Sequence, residues 1–398
     1  MDLVTIWIKV IIHWHWFIHS FIRLPDGTYA EIKSWSQILA NPLTLIFLAW
    51  YVNVKLAKEK EDRERKLEEE KEDRKKEKED REERLKKEEK DRQLEDKRQA
   101  ILTDYLKQMT TLLIDKKLAL KAHYEPTARV ARALTLTAIR ELDSGRNQIL
   151  TGFLVEANLI QVEDPGDVNN LPCLLGVANL EDANLENSNL KGAYLNATDL
   201  SRAKLCEANL KDAYLENALL PCANLERAIL IGASLIRANF EKAVLNEANF
   251  TRANLEDSNL EGASLKCAYL YEACIESANL TCANLTCANL SRANLFGSKL
   301  DEAKIEHAIL NNAYLTGVNL FKANLNNSYL KHANLENARL IGANLTSANL
   351  ENAKLIGALL HGTDFKDAKV NNARFGNNEG IDEEMKADLI SRGAIFED

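Results

Sequence analysis

A large apolar residue stands at every fifth position from Leu175 to Phe375, forty-one times in succession without a slip. It is Leu at most of these positions and an apolar residue of similar size at the others: Phe240, Phe250, Ile275, Ile305, Phe365, Val370 and Phe375. A small side chain stands two residues earlier, and it is Ala in thirty-three of the forty-one units. Repetition this strict constrains the fold of the whole second half of the chain, because every unit must pack like its neighbours.

A period of five matches neither the 3.6-residue turn of an α-helix nor the two-residue repeat of a β-strand. A helix would spread the leucines around its whole circumference, and a flat strand would place successive leucines on opposite faces. Every Leu can point to one axis only if the chain turns a corner in each unit. The pattern therefore predicts a solenoid whose coils stack at the inter-strand spacing of about 4.8 Å.

The stretches ANLEDANLENSNL (178–190) and ANLTCANLTCANLSRANL (278–295) resemble the pentapeptide-repeat family, whose consensus is A(D/N)LXX. The resemblance implies a mainly β fold, a right-handed quadrilateral β-helix with four units in each twenty-residue coil. Residues 173–375 would then form about ten coils over roughly 50 Å. Asn precedes the Leu in eighteen units. Because Asn tolerates unusual backbone angles and can bond to the local chain, we expect it at the corners.

Residues 376–398 break the period and are predicted to cap the last coil, with a short amphipathic helix from Asp382 to Arg392. A cap is needed because the end of a stacked coil exposes unpaired backbone groups.

The first 54 residues contain the two most apolar stretches of the chain, residues 3–22 and 38–54. The second carries no charge over seventeen residues and is near the short limit for a membrane-spanning helix. The first contains Lys9 together with histidines and tryptophans, which suit a membrane interface as well as a span. We therefore predict an α-helical membrane anchor of one or two helices over residues 1–54, which contacts lipid through residues 3–54.

His15 and His19 in the first stretch are four residues apart and would share one helical face. Such a pair could ligate a metal ion or haem, but no second cluster completes a site. An interfacial location is the simpler interpretation, and no cofactor is predicted.

Residues 55–98 carry nineteen basic and nineteen acidic side chains, and the string KEDR recurs three times. Opposite charges three or four residues apart favour a solvated single helix, about 65 Å long at 1.5 Å per residue. Its four leucines form no continuous seam, so the sequence leaves a coiled-coil homodimer open without requiring one.

Residues 99–161 are predicted to form a small helical module, with later helices near Ala128–Leu142 and Asn147–Ala157. Its strings YLKQMTTLLIDKKL, ARALTLTAIRELD and FLVEANLI resemble a segment that precedes the repeats in membrane-anchored cyanobacterial proteins. The resemblance implies shared architecture and no activity. The module is expected to cap the first coil.

All seven cysteines lie in the repeat region, and an odd number without framework spacing indicates a reducing compartment. Cys267 and Cys287 are twenty residues apart and should stack on adjacent coils. A metal or redox pair is conceivable there, although small solvent-facing residues are the simpler interpretation.

The repeated residues are packing residues, so the leading functional hypothesis is a membrane-tethered, non-catalytic scaffold that binds an unknown protein partner along the solenoid. A twenty-residue coil would stack the apolar surface pairs Ile309 on Tyr329, Phe321 on Ile341, and Tyr194 on Tyr214. An enzyme is not predicted, because the chain has no GxSxG, Walker A or HExxH string.

An alternative is a gyrase-binding mimic of DNA, as in some proteins of the family that this chain resembles. Mimicry needs dense negative charge, whereas residues 175–375 carry twenty-two acidic and nineteen basic residues. The net charge of −9 also gives no basic surface for nucleic acid.

The Lys and Arg residues that follow residue 54 predict that the repeat domain lies on the cytoplasmic side of an inner, plasma or thylakoid membrane.

Overall fold

A computed structural model describes residues 9, 42–118, 125–161 and 173–397. The chain divides into two compact units, residues 1–91 and 92–398. His15 and His19 lie outside the described residues, as do the rest of the first apolar stretch apart from Lys9 and most of the predicted anchor. Within the part of the chain that the structure describes, no helix combines the length and the apolar character needed to cross a membrane.

The first described element is a single helix of 74 residues, α1 (Pro42–Asp115). It passes through both predicted boundaries, at residues 54 and 98, without a break. The reason is that no Gly or Pro occurs between residues 43 and 124, so nothing interrupts the backbone hydrogen bonds. From Lys55 to Asp91 nearly every side chain is exposed, and ion pairs join neighbouring turns, as between Glu72 and Lys76 (3.5 Å).

In the second unit, the end of α1 packs against two short helices, α2 (Pro126–Glu141) and α3 (Ser144–Glu156). Both agree with the predicted helices to within three residues at each end. Asp143 caps α3, since its carboxylate accepts a hydrogen bond from the backbone N–H of Arg146 (3.0 Å). The buried core of this module includes Met109, Ile139, Leu150 and Leu154.

From residue 178 onward each unit pairs in parallel with the unit twenty residues later, as Asn179 does with Asp199. Leu180 donates its N–H to the carbonyl of Asp199 (2.7 Å), and Asp199 donates to the carbonyl of Ala178 (2.8 Å). The twenty-residue offset places four units in each coil. We name the four resulting columns faces 1 to 4, and their middle residues are Asn179, Asn184, Asn189 and Tyr194 and every twentieth residue after each.

Inside the solenoid, the Ala and Leu positions of each unit are buried almost completely. The turn that follows each Leu is closed by a backbone hydrogen bond, from the N–H of Ala183 to the carbonyl of Leu180 (3.1 Å) in the first complete example. Its third residue has a positive φ, 57° at Asp182. We call this third residue the turn residue.

The prediction about Asn was half wrong. The unusual backbone angle belongs to the turn residue, three positions after the Asn. The Asn side chain instead accepts a hydrogen bond from the N–H two residues later, as from Glu181 to Asn179 Oδ1 (3.2 Å). It therefore braces the start of the turn from the middle of a face.

Both ends of the solenoid are covered. At the first coil, Tyr194 donates its N–H to the carbonyl of Ile160 (2.6 Å), and the Asn147 amide donates to the carbonyl of Asn184 (2.8 Å). At the last coil, strand β1 (Arg374–Phe375) pairs in parallel with β2 (Ile395–Phe396). Helix α4 (Glu383–Ser391) lies between these strands in the chain and matches the predicted helix.

Candidate interaction surface

The tyrosines of the solenoid are not distributed evenly around it. Five occupy middle positions, on faces 3 and 4 only: Tyr194, Tyr214, Tyr269, Tyr314 and Tyr329. The sixth, Tyr271, lies at the corner that joins these two faces. The middle positions of faces 1 and 2 carry no tyrosine; they are polar or charged at most sites and aliphatic at Leu219, Val244 and Leu359. The solenoid therefore has one side that carries the tyrosines, its aromatic side, and one that does not.

The aromatic side chains in the central and later coils are accessible. Tyr269 and Tyr329 on face 3 are 52% and 48% exposed, and Tyr314 on face 4 is 59% exposed. Phe296, at the far edge of face 4, is 49% exposed. Rings of this kind offer a large apolar area with few rotatable bonds, which favours binding to another protein. We call these four residues and Tyr271 the aromatic surface.

A row of charged turn residues crosses this surface at the corner between faces 3 and 4. Glu272 accepts hydrogen bonds from Arg252 Nε (2.9 Å) on one side and from Arg292 Nη1 (3.4 Å) on the other. Arg292 also donates to the Tyr271 hydroxyl (3.1 Å). The hydrogen bond from Arg252 is the main reason that the pKa of Glu272 is lowered. The Glu272 carboxylate is thus held ionised between two arginines.

An open depression of about 310 Å³ lies beside this row. It is lined by the middle residues Cys274, Asn294 and Tyr314 of face 4 and by the charged residues Glu272 and Arg292. The depression combines one aromatic anchor with a charged edge, an arrangement that can receive a side chain of a partner protein.

Of the predicted surface pairs, Ile309 and Tyr329 are brought together as expected. They are paired residues of adjacent coils on face 3. Tyr329 is exposed and Ile309 is half-buried, so most of the apolar surface that this pair offers to a partner belongs to the tyrosine ring. It lies on the aromatic side of the solenoid, close in sequence to Tyr314.

Tyr194 and Tyr214 are also paired on adjacent coils, on face 4. Both are half-buried, and Tyr194 lies against Gly176 so closely that a Cβ at that glycine would approach the ring to 2.7 Å. Burial raises the pKa of Tyr194. This pair lies next to residues 160–161, which hydrogen-bond to the first coils, and offers less free surface than Tyr314.

Phe321 and Ile341 stack at the corner between faces 1 and 2, away from the tyrosines. Both are half-buried. The Phe321 ring is contacted by Lys322 Nζ at 5.0 Å and by Arg339 Cζ at 5.3 Å from its centroid. These cation–π contacts cover the ring from within the protein itself, which leaves less of it for a partner.

The metal hypothesis for His15 and His19 concerns residues outside the described ones. Among residues 42–118, 125–161 and 173–397, no group of three or more His, Cys, Asp or Glu could hold a metal ion. All seven cysteines are free thiols.

Sequence reasoning missed Tyr269, Tyr271, Phe296 and Tyr314, the centre of the aromatic surface. The signal was present, since writing the repeats in rows of twenty places all six tyrosines in two neighbouring columns or on their shared corner. Tyr269 and Tyr314 each lie between two asparagines in their columns, so they do not belong to a stacked apolar pair.

The model of the pentapeptide repeat family matches this chain in eight copies, over residues 178–212, 208–246, 243–281, 276–312, 298–337 and 343–377. A solved structure, HetL from the cyanobacterium Nostoc sp. strain PCC 7120, is 34% identical over 50% of this chain and 89% of HetL, with a TM-score of 0.49. HetL is described as a pentapeptide repeat protein involved in regulating heterocyst differentiation.

Two other solved structures are similar to parts of the chain. Rfr23 from Cyanothece 51142 is 38% identical over 26% of this chain and 64% of its own, with a TM-score of 0.21. QnrB1, a plasmid-mediated fluoroquinolone resistance protein, is 17% identical over 54% of this chain and 96% of its own, with a TM-score of 0.28. No curated protein matches the chain.

Proposed function

This chain belongs to the pentapeptide repeat family, and we propose that it is a non-catalytic interaction protein that binds a protein partner through the aromatic surface on faces 3 and 4. The observation that carries this proposal is the confinement of all six solenoid tyrosines to these two faces and their shared corner. Packing does not explain that asymmetry, because the middle positions point outward on all four faces and the buried Ala and Leu positions are the same on each.

The backbone of the solenoid favours such a role. Each middle residue of the central coils makes two backbone hydrogen bonds to the coil before it, as Tyr314 does through its carbonyl to the N–H of Leu295 (2.8 Å) and through its N–H to the carbonyl of Ala293 (2.9 Å). The residues on either side of it bond to the coil after it, as Leu315 does through its N–H to the carbonyl of Asn334 (2.7 Å). A surface whose backbone is already fixed loses little conformational entropy when it binds. The aromatic surface is therefore pre-organised, and affinity would come from the burial of Tyr269, Phe296, Tyr314 and Tyr329.

The charges of the solenoid do not favour the gyrase-binding alternative. Acidic turn residues are neutralised by arginines on adjacent coils, as Arg227 is placed between Glu207 (3.0 Å) and Glu247 (3.4 Å). A surface of alternating sign lacks the continuous negative potential of duplex DNA. We expect DNA supercoiling by gyrase to be unaffected by the protein; strong inhibition would contradict this.

A photo-cross-linking experiment in cells tests the proposed binding face. A photoreactive amino acid is placed at Tyr314 on face 4 and, in separate variants, at Lys304 on face 2 and Lys299 on face 1. All three are exposed middle residues of the same coil, so the three photoreactive groups differ only in the face of the solenoid on which they lie. We expect discrete cross-linked protein bands from position 314 and none from 304 or 299. Equal cross-linking from all three would contradict a dedicated face.

We also propose that residues 1–54 tether the protein to a membrane, with the repeat domain on the cytoplasmic side. The two apolar stretches, residues 3–22 and 38–54, support this proposal, together with the Lys and Arg residues that follow residue 54. Deletion of residues 1–56 is expected to move the protein from the membrane fraction to the soluble fraction. A full-length protein that is already soluble would refute the tether and leave the binding face untouched.

For the solenoid itself we propose the closed, right-handed, four-sided form implied by the family resemblance. The twenty-residue register and the four turns in each coil support it. A crystal structure in which the coils wind in the opposite sense would contradict it.

A further inference from the structure

Two cysteines occupy successive turn positions on the corner between faces 2 and 3. Cys267 and Cys287 are twenty residues apart and lie one coil above the other. Backbone hydrogen bonds fix their register, from Cys267 N–H to the carbonyl of Thr286 (2.9 Å) and from Cys287 N–H to the carbonyl of Glu306 (2.9 Å). Both residues are exposed, both are free thiols, and both have a positive φ, 56° and 61°. They therefore project in the same direction from identical backbone positions.

The two side chains lie close enough to interact, because the neighbouring Cys287 contributes to the raised pKa of Cys267. The stacking distance of adjacent coils, about 4.8 Å, lies within the Cα separation of about 4.4–6.8 Å found in disulfides. No backbone movement beyond a small local adjustment is needed to join the two sulfurs.

We infer that Cys267 and Cys287 form a reversible cross-coil disulfide, a modification site that oxidation by a hydroperoxide closes and that thiols reopen. The net reaction consumes two thiols and one hydrogen peroxide and gives one disulfide and two waters. In the first step, the thiolate of one cysteine attacks a peroxide oxygen, which yields a sulfenic acid and one water. In the second step, the other sulfur attacks the sulfenic sulfur and expels its oxygen as the second water.

The environment of Cys267 assigns these steps. Burial and the neighbouring Cys287 raise the pKa of Cys267. A raised pKa disfavours its thiolate, so Cys267 serves as the resolving thiol. Because the two thiols are stacked on adjacent coils, the second step is intramolecular and outruns reaction with another molecule.

The bond is reversible because both cysteines are exposed. A disulfide at the surface is open to attack by a thiol and is reduced more readily than a buried one. A glutathione-buffered compartment would keep the pair as thiols until oxidant appears.

The chain contains its own controls for this pair. Cys222 and Cys282 are exposed turn residues in the same backbone conformation, with φ of 57° at both. Both lie on the corner between faces 1 and 2. Cys222 is stacked between Arg202 and Lys242, and Cys282 between Gly262 and Glu302. Neither has a cysteine above or below it, so neither can form a bond to the next coil.

The experiment treats the full-length protein with a small excess of hydrogen peroxide and then blocks the remaining thiols. Digestion by the glutamate-specific protease cuts after Glu272 and Glu276, which separates Cys267 from Cys287. We expect a cross-linked peptide pair joining Cys267 to Cys287, about 2 Da lighter than the sum of its reduced parts, that glutathione separates again. Amide hydrogen exchange of the coil between them is expected to slow at least about tenfold, because the bond closes this loop.

Cys282→Ser should leave the cross-linked pair unchanged, whereas Cys267→Ser or Cys287→Ser should abolish it. Circular dichroism identical to that of the native protein confirms that each variant is folded. The inference is overturned if peroxide converts Cys267 and Cys287 to sulfinic acids without a link. It is equally overturned if the only disulfides found join different molecules through Cys222 or Cys282.

Discussion

The charged part of α1, Lys55 to Asp91, and the repeat solenoid are both built from short repeated strings, yet they fold in different ways. In the helix the repeated residues are charged, nearly all are exposed, and their ion pairs join residues three or four apart. In the solenoid the repeated residues are apolar and buried, and the bonds between coils join residues about twenty apart. A repeated sequence therefore produces tertiary packing only where the repeated side chain is buried.

The two regions are therefore stabilised differently, the helix by local interactions and the solenoid by cooperative ones. The helix is held by hydrogen bonds within one turn and by pairs that each contribute a few tenths of a kcal/mol. The solenoid is held by contacts between neighbouring coils, so a defect in one coil is felt by those above and below it. Mutations of the same kind should therefore have different sizes, and in one case opposite signs, in the two regions.

The largest difference is expected from removing a leucine side chain. Leu290 is completely buried, whereas Leu85 in the helix is 55% exposed. Leu290→Ala should lower the free energy of unfolding by about 2–5 kcal/mol, because it leaves a cavity between packed coils. Leu85→Ala should change it by less than about 0.5 kcal/mol. Urea unfolding followed by hydrogen-exchange mass spectrometry measures both regions in one sample. Similar losses at the two sites would refute the contrast.

A smaller effect on stability is expected at interior positions where Ser replaces the usual Ala. Ser188 replaces the usual Ala, and its buried hydroxyl has no hydrogen-bond partner among the described residues. Ser258 also replaces Ala, but its hydroxyl donates to the carbonyl of Leu255 (2.6 Å). Ser188→Ala should raise stability by about 1 kcal/mol more than Ser258→Ala does, since an unsatisfied buried hydroxyl carries the full cost of desolvation. Thermal unfolding of the two variants tests this; equal shifts would mean that Ser188 is satisfied by water.

The sequence predicted those parts of the fold in which a repeated residue has one structural role. Leu and Ala define the interior, the period defines the corner, and the small helices follow from their apolar spacing. It did not predict which residue of the unit adopts the positive φ, because residues as different as Asp182, Arg202 and Cys222 occupy that position. The turn is imposed by packing of the flanking Leu and Ala rather than by the preference of its own residue. Likewise, a tyrosine in a single unit does not predict the aromatic surface. The surface forms only when stacked coils bring tyrosines from different units to the same side of the solenoid.

The same substitution should act in opposite directions in the two regions. Ala197 is an exposed turn residue with φ of 52°, and Ala57 is an exposed residue inside α1. Ala197→Gly should stabilise the solenoid by about 0.5–1 kcal/mol, because glycine adopts this conformation without the clash of a Cβ. Ala57→Gly should destabilise the helix by about 1 kcal/mol. Hydrogen exchange of the local peptides gives both values, and a loss at Ala197 would show that its turn is not strained.

The smallest effect on stability is expected from ion pairs. In the solenoid they join different coils, whereas in the helix they join neighbouring turns. Glu272 bridges Arg252 and Arg292 on the coils below and above, whereas Glu72 pairs with Lys76 one helical turn away. Because the pKa of Glu272 is lowered, chiefly by the hydrogen bond from Arg252, its charge stabilises the folded solenoid at any pH above the ordinary glutamate range. That contribution is lost as the pH falls through the lowered pKa. Glu272→Gln should therefore lower the midpoint of solenoid unfolding slightly at neutral pH and not at all in strong acid. Glu72→Gln should leave that midpoint unchanged at every pH, and a pH-independent effect of Glu272→Gln would show that the amide disturbs packing rather than charge.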